Sequence, residues 1–461
     1  MRSKDDQHGL HVSDEQRTKG YDTMTDLSRR GFLAAAAAAA AGLTLAACAG
    51  SGDSGGDSAG GDANTLTFWS NHPGKSADVE KELISRFEAA NPDIKVKLVD
   101  GGKNYEEVAQ KFNAALSGGS VPDIVVLSDV WWFNFALQGA ITPLDDLFGK
   151  AGVNTSEYVA SLVEDYNWND QHWALPYARS TPLFYYNKDV WAKAGLPDRG
   201  PASWQEFGEW GPRIQQVVGS GKKAHGWGNA TDYLGWTFEG PTWTFGGAYS
   251  DRWDLKFTDP KTIEAAQYLS DSINKDKYAA ISNDIAADFS AGIIASTIAS
   301  TGDLSGVTKD AKFSFGTAFL PAPDGTKGCP TGGAGLAIPA KISDERKVNA
   351  LRFIDFFTNT ANTAYFSQNV GYMPVRTGAA DDPSMKKFLA ENPNFKTAIE
   401  QLPNTKSQDY ARVFLPGADK VIGTGYEQIG LRNADVTKTL GDVQQQLQRI
   451  YDGQIKSKLP N

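Results

Sequence analysis

The sequence predicts an α/β fold of two lobes joined by a hinge, and three observations support this prediction. After residue 65, the apolar segments alternate as strand, helix, strand, helix, strand, which is typical of a parallel sheet. The segment 173–188 is extended and apolar, and its two prolines disfavour a helix. The chain after this segment reads as a second α/β unit. We therefore predict that 173–188 crosses between two lobes that enclose a ligand cleft; the alternative is a buried strand that begins at a proline.

Hydrophobic spacing predicts the elements of the first unit. Apolar residues at 66–69 and the alternation at 94–98 predict two strands, and the continuous apolar run at 123–127 predicts a third strand, buried on both faces. Apolar residues at helical spacing predict a helix after Ser76, which we expect to cap it, and a second helix over 105–116.

Helix starts are the clearest signals in the second half of the chain. Ser203, followed three residues later by Glu206, has the pattern of a capping box, and Ser343 precedes another amphipathic helix. Apolar spacing over 435–456 predicts a last helix, which we expect to dock on the second lobe. A glycine-rich turn is predicted at 329–336, before a strand.

The first 64 residues have the pattern of an export signal followed by a tether. Paired arginines precede an alanine-rich apolar run, as in a twin-arginine signal, and the run ends in Leu-Ala-Ala-Cys, a lipoprotein box in which Cys48 would be acylated. We expect translation to start at Met1 or Met24. The signal peptide would comprise 1–47 and a flexible Gly/Ser/Asp-rich tether 48–64, which places the folded body at the outer face of the cytoplasmic membrane.

The remaining sequence divides into two discontinuous lobes. Lobe 1 is predicted to comprise 65–176 and 306–342. Lobe 2, mostly helical, is predicted to comprise 177–305 and 343–461.

Composition excludes several classes of function. The net charge is −10 and no long basic run follows the signal, which argues against nucleic-acid binding. Cys48 and Cys329 have no CxxC partner and the histidines are scattered, so we expect no metal. The glycines at 329–336 do not form GxGxxG, which argues against a dinucleotide cofactor, and we expect no cofactor at all.

Several candidate ligand residues follow from placement. Asp129 follows the third predicted strand, where ligands bind in open parallel sheets, and its alternative role is to cap the next helix. Tyr105 begins a helix that reaches the same edge. Ser180 lies near the predicted cleft. Trp236, and less clearly Tyr233, offers a stacking wall within the ring-rich segment 226–253.

Four more candidates lie in the later part of the chain. Ser300 lies in a loop suited to hydrogen-bond a ligand oxygen, and the glycines around Gly333 let a backbone N–H approach a ligand closely. Tyr372 projects from a turn between two helical segments. Arg412 lies among apolar residues, where its guanidinium is suited to grip a phosphate; its alternative role is a structural salt bridge.

Together these segments resemble the extracytoplasmic solute-binding proteins of ABC importers, in the family that binds sugars and glycerol-3-phosphate. The resemblance covers essentially the whole chain after the tether and implies a periplasmic-binding-protein-like fold. It rests on 86–92, 121–125, 175–188 and 202–204. More narrowly, 103–105, 300–302, 371–375 and 410–412 are similar to the branch that binds glycerol-3-phosphate and glycerophosphodiesters, and especially to its actinobacterial members tied to glycerophosphocholine.

The resemblance implies a ligand set and a role for each residue. Asp129 would accept glycerol hydroxyls, and the Gly333 N–H would donate to the ligand. The residues that would hold the phosphodiester are Ser180, Ser300, Tyr372 and Arg412, with Tyr105 at the phosphate or glycerol end. In this branch, tryptophans wall the glycerol-3-phosphate pocket, and Tyr233 departs from that pattern. An aromatic wall of Tyr233 and Trp236 suits a trimethylammonium group instead.

The function expected from this resemblance is capture of a glycerophosphodiester or of glycerol-3-phosphate by hinge closure, followed by delivery to a membrane permease and its ATPase, without catalysis. One alternative is the same fold binding a neutral sugar. Another is a secreted hydrolase, for which Asp129 would need an opposed carboxylate such as Glu239 or Asp251. No GxSxG or HExxH motif supports a hydrolase.

Overall fold

The computed structural model describes residues 63–323 and 328–459. The predicted signal peptide, Cys48 and the tether up to residue 62 lie outside the described residues. Within the described ranges, no helix is both long and apolar enough to cross a membrane.

The first sheet contains the three strands that hydrophobic spacing predicts. Strands β1 (Thr65–Ser70), β2 (Lys95–Asp100) and β3 (Ile124–Ser128) pair in parallel with β1 in the middle. Two further strands, β4 (Leu175–Ser180) and β10 (Gly332–Ala337), complete the order β2-β1-β3-β10-β4, and β10 runs antiparallel to both of its neighbours. The prediction of a parallel sheet over 65–128 is therefore confirmed.

The second sheet is built mainly from the middle of the chain. Its strands are β5 (Pro182–Asn187), β6 (His225–Trp227), β7 (Ala279–Ile281), β8 (Ser296–Ser300) and β9 (Phe315–Ala318). They lie in the order β7-β6-β8-β5-β9, with β5 antiparallel to both β8 and β9. Each sheet is thus mixed.

The chain passes from the first sheet to the second at a single residue. Strand β4 ends at Ser180 and β5 begins at Pro182, so that only Thr181 separates them. Every residue of both strands is buried. The segment 173–188 is therefore both the predicted crossover and a buried strand pair, because the extended chain that Pro176 and Pro182 favour enters one sheet before the crossing and the other after it.

Helices cover the faces of both sheets. The described α-helices are Ala77–Ala90, Tyr105–Gly118, Trp132–Leu137, Asp145–Ala151, Ala160–Val163, Lys188–Lys193, Trp204–Val218, Leu234–Thr237, Glu239–Thr244, Pro260–Ser270, Ile285–Ser290, Leu304–Asp310, Asp344–Phe357, Thr360–Val370, Pro383–Glu391, Pro393–Gln401, Tyr410–Val413, Ala418–Arg432 and Val436–Ile450. The last of these packs against Pro260–Ser270 and Ala418–Arg432.

Several elements depart from the predicted boundaries of the lobes, among them β4, whose residues 177–180 still belong to the first sheet. Strand β9 lies within 306–342 but pairs with β5 in the second sheet. The helix Asp344–Phe357 follows residue 343 but packs against β1 of the first sheet, where Phe68 contacts Phe353 and Phe357. The boundaries at 306 and 343 therefore do not follow sheet membership, because apolar spacing gives the type of an element but not its partner.

Residues 332–335 form a strand, and the predicted glycine-rich turn is wrong there. Glycine is required because other backbone lies very close: a Cβ on Gly333 would stand 2.1 Å from the carbonyl oxygen of Ala178, and Gly333 has a φ of 107°. A Cβ on Gly335 would meet the Leu175 carbonyl oxygen at 2.9 Å. These glycines let β10 fit between β3 and β4.

The predicted helix caps have mixed outcomes. The hydroxyls of Ser203 and Ser343 accept from the N–H groups of Glu206 and Arg346, as predicted. The Glu206 carboxylate accepts from Ala202 N instead of closing the box on Ser203. Ser76 makes no capping bond, and its hydroxyl donates to the buried Glu80 carboxylate. The Ser76 hydroxyl binds Glu80 instead of capping the helix because the Glu80 carboxylate is buried and requires hydrogen-bond donors.

We predict that Leu336→Ala in β10 lowers the free energy of unfolding by about 2–5 kcal/mol, because Leu336 is fully buried and its truncation leaves a cavity. Urea unfolding followed by circular dichroism measures this change. The matched control is Leu431→Ala, since Leu431 is 60% exposed and its truncation should change stability by less than about 0.5 kcal/mol. Equal effects from the two variants would contradict the prediction.

Candidate functional site

A buried arginine organises the ends of β3 and β4. The Arg179 side chain is fully buried and pairs with the carboxylates of Asp129 and Asp165. Its Nη1 also donates to the Tyr166 hydroxyl at 2.7 Å. The second Asp129 oxygen accepts from Gln408 Nε2 at 2.8 Å. Asp129 therefore binds protein donors through both oxygens and makes no capping bond to the next helix.

Burial and charge act against each other in this network. Burial raises the pKa of the Asp165 carboxyl to about 6, although Arg179 opposes the rise. Desolvation disfavours the charge of Arg179, but the neighbouring Asp129 and Asp165 outweigh it and raise the pKa of the guanidinium. The network keeps a cation among carboxylates at the edge of the cleft.

Arg179, Asp165, Tyr166 and Gln408 were not predicted as site residues. One signal for Arg179 is present in the sequence, since a charged side chain in a strand buried on both faces requires a buried partner. Nothing local identifies the partners, which lie as far away as Gln408.

Arg412 combines the two roles considered for it. Its Nε donates to Asp419 Oδ1 at 2.8 Å, which is the salt bridge of the alternative interpretation. Its Nη1 donates to the Gln408 amide oxygen. Among the residues that the structure describes, Nη2 has no hydrogen-bond partner. The guanidinium is thus fixed by Asp419 and Gln408, with one nitrogen left for a ligand oxygen.

Strand β10, which we call the glycine strand because it contains Gly332, Gly333 and Gly335, brings three more candidates together. Ser180 is the register partner of Gly332, and the Gly333 carbonyl accepts from Asp129 N at 3.1 Å. Trp236 is buried, and its Nε1 donates to the Thr331 carbonyl at 2.9 Å. A Cβ on Gly332 would meet the Trp236 ring at 2.3 Å. The indole therefore lies directly against the backbone of β10.

The remaining candidates form a group of aromatic rings beside Ser300. The hydroxyls of Tyr105 and Tyr372 are 3.4 Å apart. A Cβ on Gly302 would meet the Tyr372 ring at 3.0 Å. Tyr233 and Trp236 contact each other edge to face with centroids 5.9 Å apart. We call Tyr105, Tyr233, Trp236 and Tyr372 the aromatic group.

Ser300 caps the turn that follows β8. Its hydroxyl oxygen accepts from Gly302 N at 3.0 Å, and Asp303 accepts from Ser300 N at 3.2 Å, which closes a capping box. Burial raises the pKa of Tyr105, and it raises that of Tyr372 to about 12, so both hydroxyls stay protonated. The hydroxyl hydrogens of Ser300 and of these tyrosines are consequently suited to donate to a ligand.

A cavity of about 260 Å³ lies beyond Asp129 and Gln408 and is lined also by Trp132, Tyr410 and Phe414. Asp129 is the one candidate that lines it. The other candidates do not line this cavity. Direct contacts and strand register connect the candidates in two sets, which meet where Trp236 lies against β10. Asp129, Ser180, Gly333 and Arg412 form the first set, and the aromatic group with Ser300 forms the second.

We predict that Arg179→Met lowers the free energy of unfolding by about 3–5 kcal/mol at pH 7, because Asp129 and Asp165 would be buried without their cation. The Asp165 pKa is already above its unfolded value and should rise further in the variant. The penalty should therefore be greatest above the folded pKa and should shrink as pH falls towards 5. Urea unfolding at pH 7 and pH 5 measures both effects.

The control is Arg199→Met, which removes a surface pair whose Arg199 Nη2 lies 2.7 Å from the Glu206 carboxylate. An exposed pair contributes less than about 1 kcal/mol. A loss in Arg179→Met that is no greater than in this control, or that does not change with pH, would contradict the role given to Arg179.

Comparison with known proteins supports the fold and identifies relatives. The chain is 61% identical to UgpB from Mycobacterium tuberculosis, whose crystal structure contains glycerophosphocholine; the TM-score is 0.82 over 85% of this chain and 99% of that one. It is 28% identical to the sn-glycerol-3-phosphate-binding periplasmic protein UgpB of Salmonella typhimurium, over 74% of this chain and 81% of that protein. Maltose-bound MalE3 of T. maritima shares the fold, with a TM-score of 0.70 at 23% identity over 83% of this chain and 99% of that one.

These likenesses confirm the predicted two-lobed α/β fold. A family model described as bacterial extracellular solute-binding protein matches residues 82–397, which is more than half of the chain. The chain therefore belongs to the bacterial extracellular solute-binding protein family.

Proposed function

We propose that this protein captures a glycerophosphodiester, with glycerophosphocholine as the foremost ligand, and delivers it to the permease of an ABC importer. The observation that carries the proposal is that an arginine with one unpaired nitrogen and a group of aromatic rings both connect to strand β10. Arg412 connects to it through Gln408 and Asp129, and the rings connect to it through Trp236. A relative that is 61% identical binds glycerophosphocholine, and relatives that are 28% identical bind sn-glycerol-3-phosphate, which is the second candidate ligand.

The phosphate is assigned to Arg412 and to neighbouring hydroxyls. Arg412 Nη2 is the nitrogen that Asp419 and Gln408 leave unpaired among the described residues. A guanidinium donates charge-assisted hydrogen bonds to phosphate oxygens. Ser180 and Ser300 add hydroxyl donors, and the N–H of Gly333 is a further donor on β10. The net charge of −10 makes such a local cation necessary for an anionic group.

Two rings of the aromatic group, Tyr233 and Trp236, are assigned to the head group of the ligand. A quaternary ammonium cannot donate hydrogen bonds, so it is recognised by ring faces, at roughly 0.5–2 kcal/mol for each contact. Tyr233 and Trp236 supply two such rings, which contact each other edge to face. The hydroxyls of Tyr105 and Tyr372, which stay protonated, are assigned to donate to the phosphate or glycerol end of the ligand.

Asp129 is assigned to the glycerol hydroxyls. In the described structure its oxygens accept from Arg179, Tyr166 and Gln408. A carboxylate offers about four lone-pair positions, so a hydroxyl of glycerol can add to these donors or replace the Gln408 amide. The Arg179 guanidinium pairs with one oxygen of this carboxylate.

Closure of the two lobes is assigned to the connection at Thr181. A ligand that touches residues near both sheets stabilises a closed form, and that form would engage the permease. Arg412 is joined to Asp129 through Gln408, and Trp236 lies against Gly332 of the first sheet, so we expect one ligand to bridge them. The proposal contains no covalent step.

Calorimetric titration of the mature body tests this function. We expect glycerophosphocholine to bind without hydrolysis, and Arg412→Ala to weaken that binding about 100-fold, because charge-assisted hydrogen bonds to the phosphate are lost. Arg432→Ala is the matched control, since Arg432 is exposed near the end of the helix Ala418–Arg432, and it should leave the affinity unchanged.

Three outcomes would count against the proposal. Binding of a maltose-type sugar alone would be consistent with a solute-binding protein but would contradict the phosphate-binding roles assigned to Arg412, Ser180 and Ser300. Release of free choline or glycerol-3-phosphate from glycerophosphocholine would indicate a hydrolase. An Arg412→Ala variant that binds as tightly as the unchanged protein would remove Arg412 from the site.

We also propose that the protein is exported and anchored by acylation of Cys48. Cys48→Ser in the full chain should move the protein from the membrane fraction to the soluble fraction, because no acyl chain can be attached to the serine hydroxyl by this route. Fractionation and metabolic labelling with a palmitate analogue measure the change. Cys329→Ser is the control, since Cys329 is buried inside the folded body and should neither carry label nor alter the fractionation.

A further inference from the structure

Asp303 is a carboxylate beside the aromatic group with no cationic partner among the described residues. Its Oδ2 accepts from the Tyr233 hydroxyl at 3.1 Å and from Ser300 N at 3.2 Å. Tyr233 also touches Trp236, and Tyr372 lies against Gly302, the residue before Asp303. The carboxylate is therefore held by neutral donors only, within the ring-lined part of the site.

The surroundings of Asp303 disfavour its negative charge. Burial raises the pKa of the Asp303 carboxyl to about 7, the hydrogen bond from Tyr233 opposes the rise, and the charges of Asp232 and Asp284 add to it. The other titratable groups that act on it are Tyr185 and Tyr372. These are hydroxyls that stay neutral, since burial raises their own pKa. In the described ranges, Asp303 forms no ion pair with a lysine, arginine or histidine.

We propose that Asp303 is the counter-ion of a cationic head group and selects zwitterionic glycerophosphodiesters over dianionic phosphate monoesters. The proposal rests on the function proposed above. A cation among the rings would offset the buried charge, which the protein itself leaves uncompensated. A phosphate monoester would bring a second negative charge towards Asp303 and be repelled, so the same carboxylate attracts one class and rejects the other.

Asp303 also has a structural role, from which the selecting role can be separated. It occupies the third position of the capping box with Ser300. Asparagine retains a carbonyl oxygen that can accept from Ser300 N and from the Tyr233 hydroxyl, but it carries no charge. Asp303→Asn should thus keep the turn and lose the counter-ion.

The pH dependence gives the proposal a second readout. A bound cation favours ionised Asp303, so its pKa should be lower in the complex than in the free protein. Below the free pKa, binding must then release a proton. Affinity for glycerophosphocholine should therefore rise as pH increases from 6 to 8, by up to about tenfold per pH unit below that pKa. Glycerophosphoglycerol, whose head group is neutral, should show no such rise.

The experiment is calorimetric titration of the mature body in three forms: unchanged, Asp303→Asn and Asp310→Asn. Each form is titrated with glycerophosphocholine, glycerophosphoglycerol and glycerol-3-phosphate. Asp310→Asn is the matched loss of one charge, at an exposed residue of the helix Leu304–Asp310. We expect Asp303→Asn to weaken glycerophosphocholine about tenfold, to leave glycerophosphoglycerol within about twofold, and to tighten glycerol-3-phosphate. In Asp303→Asn, the rise in affinity for glycerophosphocholine between pH 6 and pH 8 should also disappear. Thermal unfolding of each variant verifies that it is folded.

The outcomes distinguish this proposal from the function on which it rests. If the unchanged protein binds none of the three ligands, the proposed function fails. If glycerophosphocholine binds but Asp303→Asn weakens all three ligands equally, or leaves the preference and the pH dependence unchanged, the counter-ion role is overturned while the proposed function stands. A lower melting temperature with unchanged preference would show that Asp303 only caps the turn.

Discussion

The pairing of Arg179 with Asp129 and Asp165 is the interaction on which the arrangement of the site depends. A guanidinium without solvent exposure requires its carboxylates, and these follow β3 and precede β4, so the pairing fixes the ends of the two strands together. Gln408 extends the network to Arg412 through its amide. Replacing such a pair by apolar residues is often neutral or stabilising, so its contribution is better sought in the geometry that it imposes than in stability. Here that geometry includes the orientation of the arginine assigned to phosphate.

The glycine strand β10 is the second constraint on the site. It acts by the absence of side chains, which lets neighbouring groups approach its backbone closely. Because Gly332 has no side chain, the Trp236 ring can lie against β10 while its N–H binds Thr331. Because Gly333 has none, β10 can approach β4 at a positive φ. An aromatic residue from the ring-rich segment 226–253 is thereby placed beside a strand of the first sheet. Any larger residue at 332 would separate the two sets of candidate residues.

The sequence was most informative where the signal is local. Apolar spacing predicted β1 to β3, two prolines predicted the extended crossover at 173–188, and side-chain chemistry predicted the caps at Ser203 and Ser343. It failed where long-range pairing decides the outcome: residues 332–335 have the composition of a turn, yet they form a strand because β3 and β4 lie on either side. The partners of Arg179 are likewise set by tertiary approach. Placement at a strand end did predict Asp129 as a site residue, because the carboxyl ends of parallel strands meet at one edge.

The distribution of charge along the site favours one orientation of a zwitterionic ligand. Arg412 is a cationic side chain with an unpaired nitrogen, and Asp303 is a carboxylate held only by neutral donors in the described structure. The aromatic group adjoins Asp303, whereas Arg412 is joined to Asp129 through Gln408. A ligand with phosphate at Arg412 and ammonium among the rings would satisfy both ends without adding net charge to an acidic protein. A dianion would pair with Arg412 alone, and its second negative charge would make the ionised form of Asp303 less favourable than in the free protein. The charges of Arg412 and Asp303 therefore explain both the attraction of a zwitterionic diester and the rejection of a dianionic monoester.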